Sequence, residues 1–359
     1  MRLLLVAAAN SVHTRRWATA FAERGHEVHV ITQHAAESSC PDGVRIHRLP
    51  HWGGLGYFLN RGKAHRLARS LRPDAINAHY ATGYGLLAPR IPSAPLVLNV
   101  WGSDVYEFPE TSPLHRWLLC RNLLRADAVV STSQVMAERT RAVCPRLDAI
   151  TVVPFGVDTE RFSPAQRASG DLVVGTVKTL APKYGIDTLI EAFAMLTRME
   201  GMNSARLRIV GGGPAGAELQ SLAEELGVRD RVDFAGPVPH ERVPDELRKL
   251  DVYVALSRAE SESFGVAVIE ASACGLPVVV SRVGGLPEVV EEGATGIVVP
   301  KENARAAAEA ISKLLGDARE RRRMGEAGRG RVLREYEWKA CVDRQLAVIE
   351  AAVASHRKP

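Results

Sequence analysis

The strongest constraint on this chain is an alternation that runs through it twice. Short apolar, β-branched runs are separated by longer stretches with helical periodicity, which is how parallel sheets built from strand–helix–strand units read. In the first half this predicts strands over 3–8, 28–32, 44–48, 75–78, 96–100, 128–132 and 150–153. The pattern then restarts, with strands over 172–177, 207–210, 232–235, 252–255, 278–281 and 296–299. Between the two sets, residues 154–164 are rich in turn formers and have no sustained period. The expected architecture is α/β, with two doubly wound parallel sheets. A first domain is expected over 1–162, a second over 163–335, and a last helix in 336–359 that packs back on the first. Open sheets of this kind bind ligands at the carboxyl ends of their strands, so a cleft between the two domains is the expected site.

The length of 359 residues suits two domains. Apolar residues make up 46% and charged residues 24%, which excludes disordered and low-complexity classes. No apolar run approaches the roughly 18 residues of a membrane span. The opening run Leu3 to Ala9 soon meets Arg15 and Arg16, and it reads as a buried strand rather than a signal sequence. The five cysteines, Cys40, Cys120, Cys144, Cys274 and Cys341, are widely spaced and form no zinc pattern, which points to reduced thiols in the cytoplasm. Charge is uneven. Residues 1–165 hold 19 Lys/Arg against 13 Asp/Glu, whereas the remainder holds 27 against 28. An anionic partner for the first domain follows from that imbalance. Nucleic acid ranks low, because only 6% of residues are aromatic and no RNA or DNA module is visible.

The most specific stretch is 257–281, which reads as strand end, loop, helix, turn and strand. Gly265 allows close backbone approach, a helix runs from about Val266 to Cys274, Gly275 fits its C-terminal cap and Pro277 blocks continuation. The helix start turns free N–H groups and a positive dipole end outward, which favours a diphosphate. Glu262 and Glu270 flank that start. Carboxylates accept paired hydrogen bonds from vicinal hydroxyls, so one can hold a ribose and the other a sugar ring.

The Glu-x7-Glu pattern from Glu262 to Glu270 encloses Phe264 and Gly265, and Ala271, Cys274, Gly275 and Pro277 follow it. This resembles the donor-site signature of the family 4 glycosyltransferases, which are retaining enzymes of the GT-B fold. The likeness extends along nearly the whole chain, through 24–28, Gly102-Ser103-Asp104, 154–158, 210–214, Phe234-x-Gly236 and 283–288. It implies two Rossmann-like domains facing across a cleft. A nucleotide-diphosphate sugar serves as co-substrate on the second domain, a hydroxyl-bearing acceptor lies on the first, and there is no cofactor and no metal. By the same resemblance Glu270 holds the ribose hydroxyls and Glu262 the sugar hydroxyls. Ser263, Phe264, Gly265 and Val266 meet sugar and phosphates, together with Gly211 and Gly212 of the glycine-rich turn, while Pro237 and Val238 border the base. Lys178 and Lys183 match a cation pair that offsets charge on the leaving diphosphate. Catalysis is thereby assigned to Lys183, Lys178 and Glu262, with UDP-sugars the preferred donors.

Three departures stand out. Lys178 replaces an Arg found in many members, keeping the charge but losing the planar fork. Trp101 replaces a His before Gly102, and fits a hydrophobic wall or a sugar-stacking face. The first loop, 10–17, lacks a Gly-Gly pair. On the acceptor side the candidates are Trp101, Asp104, His13, Arg15, Arg16, His79 and Tyr80, all in loops at predicted strand ends or in the turns that follow them. A helix predicted through 61–72 sets Arg61, His65, Arg69 and Arg72 on one face and follows an aromatic stretch, which suits peripheral contact with an anionic membrane carrying a lipid-linked acceptor. Two rivals share the two-domain shape: a nucleotide-sugar 2-epimerase, and a non-catalytic nucleotide-sugar-binding subunit.

Overall fold

The computed structural model describes residues 1–35, 42–165 and 171–357; Cys40 lies outside the described residues. The chain divides into two compact units, Met1–Pro154 with Lys339–Pro359, and Phe155–Trp338.

The first unit holds β1 (Arg2–Val6), β2 (Glu27–Thr32), β3 (Val44–Arg48), β4 (Ala75–His79), β5 (Leu96–Val100), β6 (Ala128–Ser131) and β7 (Thr151–Val152). All pair in parallel in the order β3-β2-β1-β4-β5-β6-β7. Leu3 faces Val28 on one side and Ala75 on the other. Leu3, Leu4, Leu5 and Val6 are wholly buried, each contributing roughly 2 kcal/mol by leaving water. A strand covered on both faces has no solvent-facing side, which explains why these runs read as continuous rather than alternating. Ala7 and Ala8, included in the first predicted strand, leave the sheet and start the loop towards the helix Val12–Glu23.

The second unit repeats the plan with β8 (Val173–Val177), β9 (Arg206–Val210), β10 (Val232–Gly236), β11 (Val252–Ala255), β12 (Val278–Ser281) and β13 (Gly296–Val299). Its order is β10-β9-β8-β11-β12-β13, again parallel throughout. The helices Ile186–Leu196 and Ala304–Gly316 pack against it through Leu189, Ile190, Phe193, Ala307, Ile311 and Leu314. Two helices here begin at side-chain caps: Asn303 accepts from the Ala306 N–H, and Asp317 from those of Arg319 and Glu320.

Residues 155–162 pack with the second unit. Phe155 meets Phe264 edge-on at 6.2 Å, the Val157 N–H donates to the Tyr336 carbonyl, and Phe162 is buried. From Lys339 onward the helix Trp338–His356 packs with the first unit. Arg24 pairs with Asp343 at 2.7 Å, and Gln345 donates to Asn99 at 3.2 Å.

Candidate functional site

In each sheet the strand order reverses once, between β8 and β11 in the second unit and between β1 and β4 in the first. Connections leave in opposite directions at such a point and open a crevice outside the carboxyl ends.

In the second unit the residues beyond those ends are the ones singled out by sequence. Lys178 follows β8 and Glu262 lies in the loop after β11; they form an ion pair at 2.8 Å, with side chains 17% and 10% exposed. Burial draws the Lys178 ammonium pKa down, but the Glu262 carboxylate together with Tyr253 and Tyr184 more than reverses this, so it lies above its ordinary value. Ser257 also donates its hydroxyl to Glu262 at 3.3 Å. The Lys178 and Lys183 ammonium groups both lie over the ring of Tyr184, at 4.5 and 5.1 Å from its centroid. Tyr184 thus gathers the two cations, a role its neighbours in sequence do not announce.

Helix Val266–Ala273 begins at Gly265, whose φ of +92° is left-handed. A Cβ there would come within 2.9 Å of Leu286. The helix therefore starts abruptly, and its first N–H groups have no intrahelical acceptor. Phe264 is buried between Phe155 and Tyr336, fixing the turn. Ser263 is buried beside it. Glu270 is also buried, and it meets His240 Nε2 at 3.0 Å. Thirty residues separate the pair, and no spacing in the sequence signals it.

Gly211 has φ +147°, and a Cβ on it would lie 1.9 Å from the Lys178 carbonyl. Only glycine lets this loop lie against the one carrying Lys178. Gly212 accepts from the Leu180 N–H at 3.0 Å, and a Cβ there would touch Pro237 at 3.4 Å. Gly211 and Gly212 therefore adjoin the Lys178 loop, and Pro237 lies beside Gly212 with Val238 next in the chain. The structure brings the predicted donor residues to one edge of one sheet.

In the first unit rings gather at the carboxyl ends of β1, β4 and β5. Trp101, only 9% exposed, lies 4.3 Å from His79, 5.4 Å from Tyr80 and 5.9 Å from His13, centroid to centroid. Tyr80 has φ +70°, a conformation that costs a non-glycine residue about 1–3 kcal/mol and that clusters at functional sites. Burial, aided by His13, lowers the His79 pKa to about 3, so the imidazole is neutral at ordinary pH. Arg15 and Arg16 are half-buried in the first turns of Val12–Glu23.

Asp104 departs from its expected place at the sugar face. It is 1% exposed, and its carboxylate accepts N–H bonds from Ala81 at 2.9 Å, Trp101 at 3.1 Å and Gly102 at 2.8 Å. Burial raises its pKa while these donors oppose the rise. With its oxygens so engaged, Asp104 holds the loops after β4 and β5 together and acts as a positioning group.

Residues 158–331 match the family "Glycosyl transferases group 1", and residues 2–133 match "Glycosyl transferase 4-like". A GDP-mannose-dependent α-(1-6)-phosphatidylinositol monomannoside mannosyltransferase of Mycolicibacterium smegmatis is 34% identical over 71% of this chain and 70% of its own length. A D-inositol 3-phosphate glycosyltransferase of Nocardia farcinica is 31% identical over 88% of this chain and 78% of its own. This chain belongs to the family 4 glycosyltransferases. The fold of the glycosyltransferase is GT-B: a sucrose-phosphate synthase from Thermosynechococcus elongatus superimposes with TM-score 0.84 at 22% identity, covering 99% of this chain and all of the other. Anabaena HepE, solved in complex with UDP, superimposes with TM-score 0.79 at 19% identity, covering 98% of this chain and all of its own. The glycosyltransferase is a hexosyltransferase by class. Among the described residues no helix is long and apolar enough to cross a membrane.

Proposed function

We propose that this glycosyltransferase moves a hexosyl or N-acetylhexosaminyl group, with retained configuration and without a metal ion, from a nucleoside-diphosphate sugar to an acceptor hydroxyl. One observation carries the reading: Lys178, Lys183, Glu262, and the open N-terminus of Val266–Ala273 gather at the reversal point of the second sheet, with Glu270 one turn further along. In the proposed roles Glu270, steadied by His240, accepts from the ribose hydroxyls, and Glu262 from the sugar. The helix amides, backed by Gly211, Gly212 and the two ammonium groups, receive the diphosphate, with Pro237 and Val238 beside the base. The acceptor oxygen attacks the anomeric carbon on the face the diphosphate leaves. The bond from that carbon to the phosphate oxygen breaks, and the acceptor proton passes to the departing phosphate. Positive charge held in place before the reaction stabilises the leaving group and supplies the field a metal would otherwise provide.

Donor identity rests on two pointers. The sequence reading favours UDP-sugars, and the M. smegmatis relative is named for GDP-mannose. That name also includes a phosphatidylinositol-based acceptor, in keeping with a lipid-linked hydroxyl here. Trp52, Leu55, Phe58 and Leu59 are 49–69% exposed, directly before the basic helix Arg61–Leu71. Apolar side chains beside exposed Lys63, Arg66 and Arg69 suit peripheral contact with the cytoplasmic face of an anionic membrane. The acceptor hydroxyl would lie near Trp101, His13, His79 and Tyr80, with Arg15 and Arg16 at its margin.

A thermal-shift panel of UDP-sugars and GDP-mannose tests the donor step, because a ligand at 100 times its Kd stabilises a fold by about 2.7 kcal/mol. The expected result is a shift with one of them that disappears in Glu270→Ala. No shift with any activated sugar overturns the proposal. Epimerised sugar formed without acceptor supports the 2-epimerase instead.

A further inference from the structure

A second charged region lies in the first unit, lined by none of the residues placed at the donor or acceptor edges. The start of helix Arg61–Leu71, the segment 87–90 leading towards β5, and Arg125 on the way into β6 enclose a hollow of about 290 Å³. Arg61, His65, Arg90 and Arg125 supply its polar lining, with Leu87 and Pro89 as an apolar wall. Three guanidinium groups around one hollow repel each other, and little nearby offsets them. Among the described residues no carboxylate lies within ion-pair distance of Arg61 or Arg125, and Arg90 reaches only Asp127, at 4.0 Å. Arg125 Nη1 is buried with no hydrogen-bond partner. Burial and the neighbouring charges of Arg61, Arg121 and Arg90 lower the pKa of Arg125, so the native fold carries an electrostatic cost at this point.

We propose that the hollow walled by Arg61, His65, Arg90 and Arg125 is a binding site for a phosphomonoester dianion, distinct from the donor and acceptor edges. A dianion neutralises the mutual repulsion, gives the unpartnered Nη1 an acceptor, and matches the paired N–H geometry of guanidinium groups. The helix that lines the hollow through Arg61 and His65 also exposes Lys63, Arg66 and Arg69, so the dianion arrives either as a free phosphate ester or on a lipid headgroup. The cations of this site come from three separate segments, and only Arg61 and His65 share a helical face in the sequence. The proposal does not depend on the assigned glycosyl-transfer roles.

Titration calorimetry of the full chain with inorganic phosphate and with glycerol 3-phosphate tests it. Cosedimentation with phosphatidylcholine vesicles doped with phosphatidic acid, against matched-charge phosphatidylserine vesicles, is the second arm. The expected result is saturable binding of the soluble phosphates, weakened on the order of tenfold in each of Arg90→Gln, Arg61→Gln and Arg125→Gln. Arg66→Gln, outside the hollow, and Lys183→Ala, at the donor edge, retain it. Arg61 and Arg90 are exposed, so their variants keep the test decisive if Arg125→Gln fails to fold. A preference for phosphatidic acid lost in the same variants assigns the dianion to a lipid. Absence of saturable phosphate binding together with equal affinity for both vesicle types overturns the site, and so does saturable binding unchanged in both Arg61→Gln and Arg90→Gln.

Discussion

The loops around the reversal point of the second sheet, after β8, β9 and β11, and the segments around that of the first, at the ends of β1, β4 and β5, are built differently. The first set is made of glycines, lysines and glutamates, with backbone drawn close to backbone: a Cβ at Gly211 would collide with the Lys178 carbonyl at 1.9 Å. The second set is made of rings packed on one another, Trp101 with His13, His79 and Tyr80, over an Asp104 occupied by backbone N–H groups. A diphosphate demands main-chain donors and positive charge, which few residue types can supply. A hydroxyl-bearing acceptor demands shape and a dry surface, which many side chains can provide. The charged edge is therefore the more constrained of the two.

The sharpest way to test that contrast is Lys183→Ala. It is expected to lower turnover by about 100- to 1,000-fold while the fold stays intact, in line with losing one preplaced charge at a leaving group. Steady-state rates and a melting curve separate the two effects. Next comes Gly211→Ala, which places a Cβ against backbone at a left-handed φ; a loss of about 3 kcal/mol in denaturant unfolding is expected. An unchanged midpoint would show that the loop can move and that the close approach is dispensable. Glu270→Gln should weaken donor binding by about 2 kcal/mol and leave acceptor KM alone, because a charge-assisted pair to hydroxyls is reduced to a neutral one.

The ring-built edge makes a different prediction, through pH. His79 has a folded pKa of about 3 against an ordinary 6.5. Between these values the unfolded chain binds the proton that the native state refuses, so stability is full above pH 6.5 and declines as pH falls towards 3. About 1–2 kcal/mol should be lost by pH 5, and His79→Gln should flatten that part of the stability profile. The smallest effect belongs to Trp101→Phe, which keeps a ring among its neighbours. It should raise acceptor KM a few-fold with donor Kd unchanged. A reversed outcome, with donor affinity falling and acceptor KM constant, would dissolve the division of labour between the two edges.

Both sheets were legible because parallel strands buried on two faces leave uninterrupted apolar runs, and the helices between them keep their own period. The donor edge was legible for a related reason. Glu262, Gly265 and Glu270 lie within one short segment, so their relation is carried by spacing, and Gly265 marks the helix start in the sequence itself. His240 and Glu270 come together only because the segment after β10 folds beside the helix after β11. Nor does the sequence reveal that Asp104 turns inward, since a buried and an exposed carboxylate are written with the same letter.

The sequence by itself determined the repeated strand–helix pattern, the family and the segment proposed to meet the donor, all of which depend on local periodicity and local spacing. Tertiary structure alone decided that Lys178 pairs with Glu262, that four rings from three separate segments meet at Trp101, and that Arg61, His65, Arg90 and Arg125 share one hollow. The physical reason is range. Backbone hydrogen bonding and side-chain period are fixed by near neighbours along the chain, whereas charge pairing and ring packing are fixed by neighbours in space, and those are chosen only when the strands take their order in the sheet.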